Sequence, residues 1–290
     1  MPEDSLIPGH TQQGRLVMNA KISIAEFFSW RHHPFADTYS LKQPFLSHKD
    51  KRIMDKALSL LSYGKSFAVT GPSGSGKSTL AQHIISSLDP HHYRPILIPY
   101  GGLQRGGILK AIADLLGVDA SGRSVPLLTR LQKHISQMTS ENSGLFPVIV
   151  IDDAQLMERD SLLDLCSLMI NPQKKTVAAS LILIGDEMLA KTLQLNIMSA
   201  IRTRLTCFFC MDPLNEEESH AFISFRLDCS QAPAHLFDQG ALELIASSCH
   251  GNRRLIMNMA TVLLDEAFYL QEKTVGSQLV LSCDLVEISG

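Results

Sequence analysis

The amino-acid sequence predicts an α/β fold: a parallel sheet flanked by helices, followed by a small helical lid. Three observations lead there. The stretch Gly71-Pro-Ser-Gly-Ser-Gly-Lys-Ser-Thr79 meets the phosphate-loop pattern and joins an apolar strand to a stretch of helical period. Short apolar runs then alternate with helical periods as far as residue 211, the order expected of parallel strands under helices. Beyond 211 the strand pattern stops, and helical periods fill 214–229, 239–249 and 253–270.

Taken in order, residues 1–21 have no period, contain Pro2, Pro8 and Gly9, and read as a flexible tail. An aromatic lead-in, Phe27-Phe-Ser-Trp30 and Pro34-Phe35, precedes an amphipathic helix over 50–61. Ser66-Phe-Ala-Val-Thr70 is a short buried strand entering the loop, and helix 78–88 leaves it. There follow strand 94–100, helices 107–116 and 124–138, strand 147–151, helix 159–169, strand 179–184, helix 187–194 and strand 205–211. The last, Leu205-Thr-Cys-Phe-Phe-Cys-Met211, is continuously apolar and reads as buried. These elements divide the chain into a tail (1–21), a nucleotide-binding α/β domain (22–212), a helical lid (213–272) and a C-terminal tail (273–290) whose apolar run 279–286 either docks on the lid or meets a partner.

At 290 residues and 45% apolar composition, the chain can bury a core in each unit. Its 26 basic and 29 acidic residues give a net charge of −3, so any nucleic-acid contact must come from a local patch. No apolar run approaches the roughly 20 residues that span a bilayer, and the N-terminus has no hydrophobic signal core, so a soluble, cytoplasmic protein without a membrane partner is expected. Cysteines at 166, 207, 210, 229, 249 and 283 are too sparse for a secreted disulfide scaffold. Cys207 and Cys210 stand on opposite faces of their strand, and no second Cys/His pair stands at ligand spacing, so no metal or redox pair is expected there.

The loop chemistry is specific. Backbone N–H groups of Gly71, Pro72, Ser73, Gly74, Ser75, Gly76, Lys77, Ser78 and Thr79, proline excepted, converge with the positive end of the following helix on one spot that favours phosphate. Lys77 is placed for the β and γ phosphates, and Ser78 for Mg²⁺. A chain of this length yields the pattern by accident about one time in a hundred at average residue usage. Val148-Ile-Val-Ile151 then runs into Asp152-Asp153, which a parallel sheet brings to its carboxyl, ligand-binding edge. Asp152 suits Mg²⁺ coordination; Asp153 is placed to orient or deprotonate an attacking water. The 75 residues from Lys77 to Asp152 (152 minus 77) leave room for an additional strand and helix pair between them.

With these motifs, Ile184-Gly-Asp186, Arg202-Thr-Arg204 followed by Met211-Asp-Pro-Leu214, and Gly251-Asn-Arg-Arg-Leu-Ile256 stand in the order of the AAA+ ATPases. The chain resembles their ExeA/TniB-like group, which includes secretion ATPases and the ATPase regulators of DNA transposition, over roughly residues 22–270. The resemblance implies Mg²⁺-dependent hydrolysis of ATP. It implies that Asp186, where many relatives have an amide, occupies the position that senses the γ-phosphate. Arg204, with Arg202 as the nearby substitute, matches an arginine finger that completes a neighbouring copy's site, and Arg254 matches a lid arginine that senses the nucleotide. Asp153 stands where relatives commonly carry Glu.

By the same resemblance, the protein assembles with ATP into a ring or filament on duplex DNA, without strong sequence preference, and recruits or activates a DDE-type transposase. Arg105, in the glycine-rich stretch after the second strand, and Lys174-Lys175, before strand 179–184, are the local candidates for phosphate-backbone contact. Two alternatives stay open: a secretion or envelope-assembly ATPase, whose relatives usually add a membrane segment and a further domain not seen in this sequence, and a signalling switch that binds ATP and rarely hydrolyses it.

Overall fold

The structure, a computed structural model, describes residues 22–38, 43–121, 125–139 and 144–283. The expected tail 1–21, the start of the helix expected at 124, and residues 284–290 of the expected C-terminal tail lie outside the described residues.

A five-stranded sheet forms the centre: β1 (Ser66–Thr70), β2 (Tyr93–Ile98), β3 (Phe146–Ile151), β4 (Ser180–Gly185) and β5 (Leu205–Cys210). All pairings are parallel and the order is β2-β3-β4-β1-β5. Parallel pairing needs crossovers, and helices supply them. Between β1 and β4 run α3 (Lys77–Ser86), α4 (Arg105–Leu116), α5 (Leu127–Met138) and α6 (Arg159–Leu168), preceded by α1 (Ile24–Phe28) and α2 (His48–Ser62). After β4 come α7 (Glu187–Gln194) and α8 (Ser199–Arg202). Side chains alternate across each strand, so the two faces carry separate cores. Ile149, Ile151, Leu181 and Leu183 pack with α4, α5 and α6, whereas Val148, Val150, Ile182 and Ile184 pack with α2 and α3.

The expected strand 94–100 stops at Ile98, just before Pro99, which has no N–H to continue a ladder. The expectation that β5 is buried is corrected. It is the sheet's edge, exposed at Thr206, Phe208 and Cys210, with Phe208 44% exposed. An apolar run alone does not say whether a second neighbour covers it. Between α6 and β4, Ile170 and Val177 bridge in a short antiparallel hairpin whose tip holds Lys174 and Lys175. Asn171 orders that tip by accepting from the backbone N–H groups of Gln173 and Lys174.

The lid is α9 (Glu216–Ser230), α10 (Gln239–Ser248), α11 (Arg253–Tyr269) and α12 (Ser277–Ser282). Its core also takes in residues that sequence order groups elsewhere. Phe27, Phe28, Trp30 and Phe35 come from the lead-in, and Val275 and Leu279 from the segment read as a tail. A capping box between Ser23 and Glu26 starts α1 and turns its aromatic side chains inward. Phe28 stacks on Trp30 with ring centroids 4.9 Å apart, and Phe27 meets Phe28 and Phe268 edge-on at 4.8 and 5.2 Å.

Candidate functional site

The phosphate loop leaves β1 at the carboxyl edge of the sheet and enters α3 at Lys77, with Gly76 in left-handed conformation at the junction. Lys77 Nζ donates to the carbonyls of Gly71 at 3.0 Å and Pro72 at 2.7 Å. Burial lowers the Lys77 pKa, while the carboxylates of Asp152, Asp186 and Asp153 oppose that shift and Arg254 adds to it. These groups, read from four separate motifs, therefore share one electrostatic neighbourhood. Ser78 and Thr79 are exposed in the first turn of α3, and both line a cleft of about 870 Å³ together with Lys77, Asp152, Asp153 and Arg254.

Asp152 and Asp153 follow β3. The Asp153 N–H donates to Asp152 Oδ1 at 2.9 Å, and Asp153 adopts left-handed backbone angles, φ 50 and ψ 38. Asp186 ends β4, and its Oδ1 caps α7 by accepting from the N–H groups of Met188 and Leu189 at 2.8 and 3.3 Å. A local helix cap thus accounts for the carboxylate at this position.

The lid closes on the loop through three consecutive residues. Asn252 caps α11 and donates from Nδ2 to the Ser73 carbonyl at 2.7 Å. Arg254 is exposed; its N–H meets the Gly74 carbonyl and its guanidinium the Ser73 hydroxyl, each at 3.4 Å. Arg253, which sequence reasoning passed over, is the buried one. It donates to the Ser75 carbonyl and to Asp50 Oδ2, the latter at 2.5 Å. Burial lowers its pKa, and the Asp50 carboxylate opposes that most strongly. Sequence holds only an Arg-Arg pair here; which of the two turns inward depends on Asp50, far away in the chain.

Arg202 and Arg204 lie elsewhere. Ser66 pairs with Leu205 and Thr70 with Cys210, so the phosphate loop follows one end of the β1/β5 pair and the two arginines precede the other. The six residues of β5 separate these ends by about 20 Å at ~3.3 Å per residue. Within the chain, Arg202 donates to the Gln194 carbonyl at 2.8 Å and Arg204 to that of Ala200. The structure also parts the two groups of candidate DNA contacts. Arg105 opens α4 after the loop at the carboxyl edge, whereas exposed Lys174 and Lys175 sit on the hairpin before the amino end of β4.

A nucleoside triphosphate with Mg²⁺ fits this donor set. The Ser75 hydroxyl is buried in the loop without a hydrogen-bond partner, and the charge of Lys77 faces the same cleft. Among the described residues no group of three or more His, Cys, Asp or Glu could hold a metal ion. Ser78 and Asp152, which both line the cleft, offer the one or two protein oxygens that suit a cation completed by phosphate.

Residues 60–193 match the model of the AAA domain family. General secretion pathway protein A of Aeromonas hydrophila is 24% identical over 253 residues, which cover 84% of this chain and 44% of that protein. The chain thus spans less than half the length of that curated relative. The Aeropyrum pernix ORC2 protein, solved in ADPNP–ADP complexes, superposes with a TM-score of 0.66 at 14% identity, covering 87% of this chain and 70% of its own. The Drosophila ORC bound to DNA gives a TM-score of 0.64 at 15% identity, with 95% and 69% covered. The fold is the P-loop AAA+ fold, and the chain is similar over residues 60–193 to the AAA domain family and over most of its length to the secretion-pathway protein.

Proposed function

We propose that this AAA+ chain hydrolyses ATP at a site finished by a second copy of itself. The observation that carries the reading is the division of charge. Lys77, Asp152, Asp153 and Arg254 converge at the carboxyl edge, while Arg202 and Arg204 lie past the opposite end of β5. No copy brings its own Arg204 to its own phosphate loop, so the arginine serves a neighbour. Ser78 and Asp152 would hold Mg²⁺, which when bound neutralises developing phosphate charge. Lys77 and the loop amides bind the phosphates, Arg254 answers the nucleotide from the lid, and Asp153 orients the water or takes its proton.

The working assembly in this proposal is a cytoplasmic ring or filament on duplex DNA that activates a transposase. The DNA-bound neighbour favours the DNA contact, and the likeness of the motif order to the ExeA/TniB-like group favours the assembly and the transposase. Arg105 and Lys174-Lys175 lie at opposite ends of the sheet, so one of the two groups, repeated from copy to copy, would let a mildly acidic chain line a basic path. The secretion-pathway relative favours a second reading, an ATPase of envelope assembly; among the described residues no helix is long and apolar enough to cross a membrane.

Steady-state turnover measured against protein concentration, with and without duplex DNA and across a salt series, tests both. Turnover that rises with concentration and is stimulated by DNA in a salt-sensitive way is expected. Stimulation by envelope components alone would favour the second reading. Full turnover by a dilute monomer would defeat the shared site.

A further inference from the structure

We infer that Gln155 is a positioning residue for Asp153, tying its carboxylate to the end of β4 by a two-ended amide bridge. This rests on the role proposed above for Asp153. Left-handed backbone is uncommon for residues with a side chain, and Asp153, of a type that enters it more readily than most, takes it up here with φ 50. Among the described residues, Gln155 is the side chain that bonds its carboxylate: Nε2 donates to Asp153 Oδ1 at 3.1 Å. The other end of the amide accepts, at 3.3 Å, the N–H of Asp186. Only one orientation of the amide serves both, because a carboxylate accepts and a backbone N–H donates. Asp186 is itself anchored as the cap of α7. Asp153 is therefore connected through one side chain to β4 and α7, two elements that sit beside the phosphate loop across the sheet.

Two close approaches keep this arrangement in place. A Cβ on Gly185 would stand 2.7 Å from Gln155 Oε1, so the bridge can cross the end of β4 only where no side chain exists. On the other side, a Cβ on Gly101 would stand 2.6 Å from the Asp153 carbonyl oxygen. The loop after β2 thus lies directly against the Asp153 peptide. Asp153 is exposed to the cleft, and an exposed carboxylate without the bridge is free to sample other rotamers. Orientation of a reacting water tolerates little of that.

Chemistry at 155 separates positioning from plain scaffolding. Gln155→Leu removes the donor, and Gln155→Glu keeps the length but sets an acceptor against the Asp153 carboxylate. With the assembled protein, we expect Gln155→Leu to bind a fluorescent ATP analogue within about 2-fold of the parent. Its KM should be unchanged and its kcat lowered on the order of 10- to 100-fold. Gln155→Glu should lower kcat at least as far, again with KM unchanged, because an acceptor then faces the Asp153 carboxylate. Parental kcat in either variant, or lost binding in Gln155→Leu, would overturn the inference. Asp153→Asn, run alongside, keeps the two claims apart. If it turns over at the parental rate, the role of Asp153 falls; if it is inactive while Gln155→Leu is fast, only the bridge falls.

Discussion

Lys77 sits half-buried with its ammonium on the carbonyls of Gly71 and Pro72 and three carboxylates within electrostatic reach. Replacing it with alanine removes the charge that faces the phosphates and leaves those acids unopposed. Lys77→Ala should weaken ATP binding by about 100-fold or more, as two lost charge-assisted bonds imply; titration with a fluorescent analogue checks it, and unchanged affinity would refute the site. Gly101→Ala should behave differently, because the added methyl meets the Asp153 carbonyl and not the phosphates. Binding should stay, and kcat should fall about 10-fold as the peptide carrying Asp153 shifts. At this scale sequence was informative where chemistry sits in consecutive residues. Gly71–Thr79 and Asp152-Asp153 could be read directly because strand, turn and helix follow one another. The work of Gln155 and Arg253 could not, since each depends on a partner brought close only by folding; Asp50 is 203 positions from Arg253.

Helix α2 meets the lid and the phosphate loop through one buried ion pair. Asp50 Oδ2 accepts the N–H of Ser47, closing the capping box that starts α2, and also receives Arg253. Arg253 reaches on to the Ser75 carbonyl. Asp50→Ala leaves a buried guanidinium uncompensated and should cost about 3–5 kcal/mol, whereas Asp50→Ala with Arg253→Met should recover part of it. Denaturant unfolding of the single and double variants measures this, and an Asp50→Ala loss below about 1 kcal/mol would show the pair to be unimportant. The elements themselves were mostly legible, since an apolar run flanked by helical periods leaves few alternatives in a parallel sheet. Less legible were features decided by neighbours: the exposed edge at β5, the hairpin at 170–177, and α12, whose Leu279 is buried only because α10 and α11 surround it.

At the scale of the whole molecule the prediction concerns assembly. Arg204 is half-buried, bonded to Ala200, and its Nε is buried without a partner, a group that a neighbour's acceptor would satisfy. Arg204→Ala should leave ATP affinity of the single copy within about 2-fold and lower turnover of the concentrated protein by about 100-fold or more. Light scattering and turnover across a concentration series read the two effects; no change in either would end the trans assignment. The resemblance in motif order is what suggests a shared site, and the pairing of β1 with β5, which holds Arg204 away from its own phosphate loop, supports that proposal.

The lid core draws Phe27, Trp30 and Phe35 from the first described segment and Val275 and Leu279 from the last. A growing polypeptide can therefore complete its sheet while still attached to the ribosome, but its lid core is finished only once Val275 and Leu279 have emerged. Until then the three-residue clamp of Asn252, Arg253 and Arg254 rests on a core that lacks those two apolar side chains. Nascent chains and fragments that stop short of Val275 should show the nucleotide cleft to proteases and chaperones in an open form.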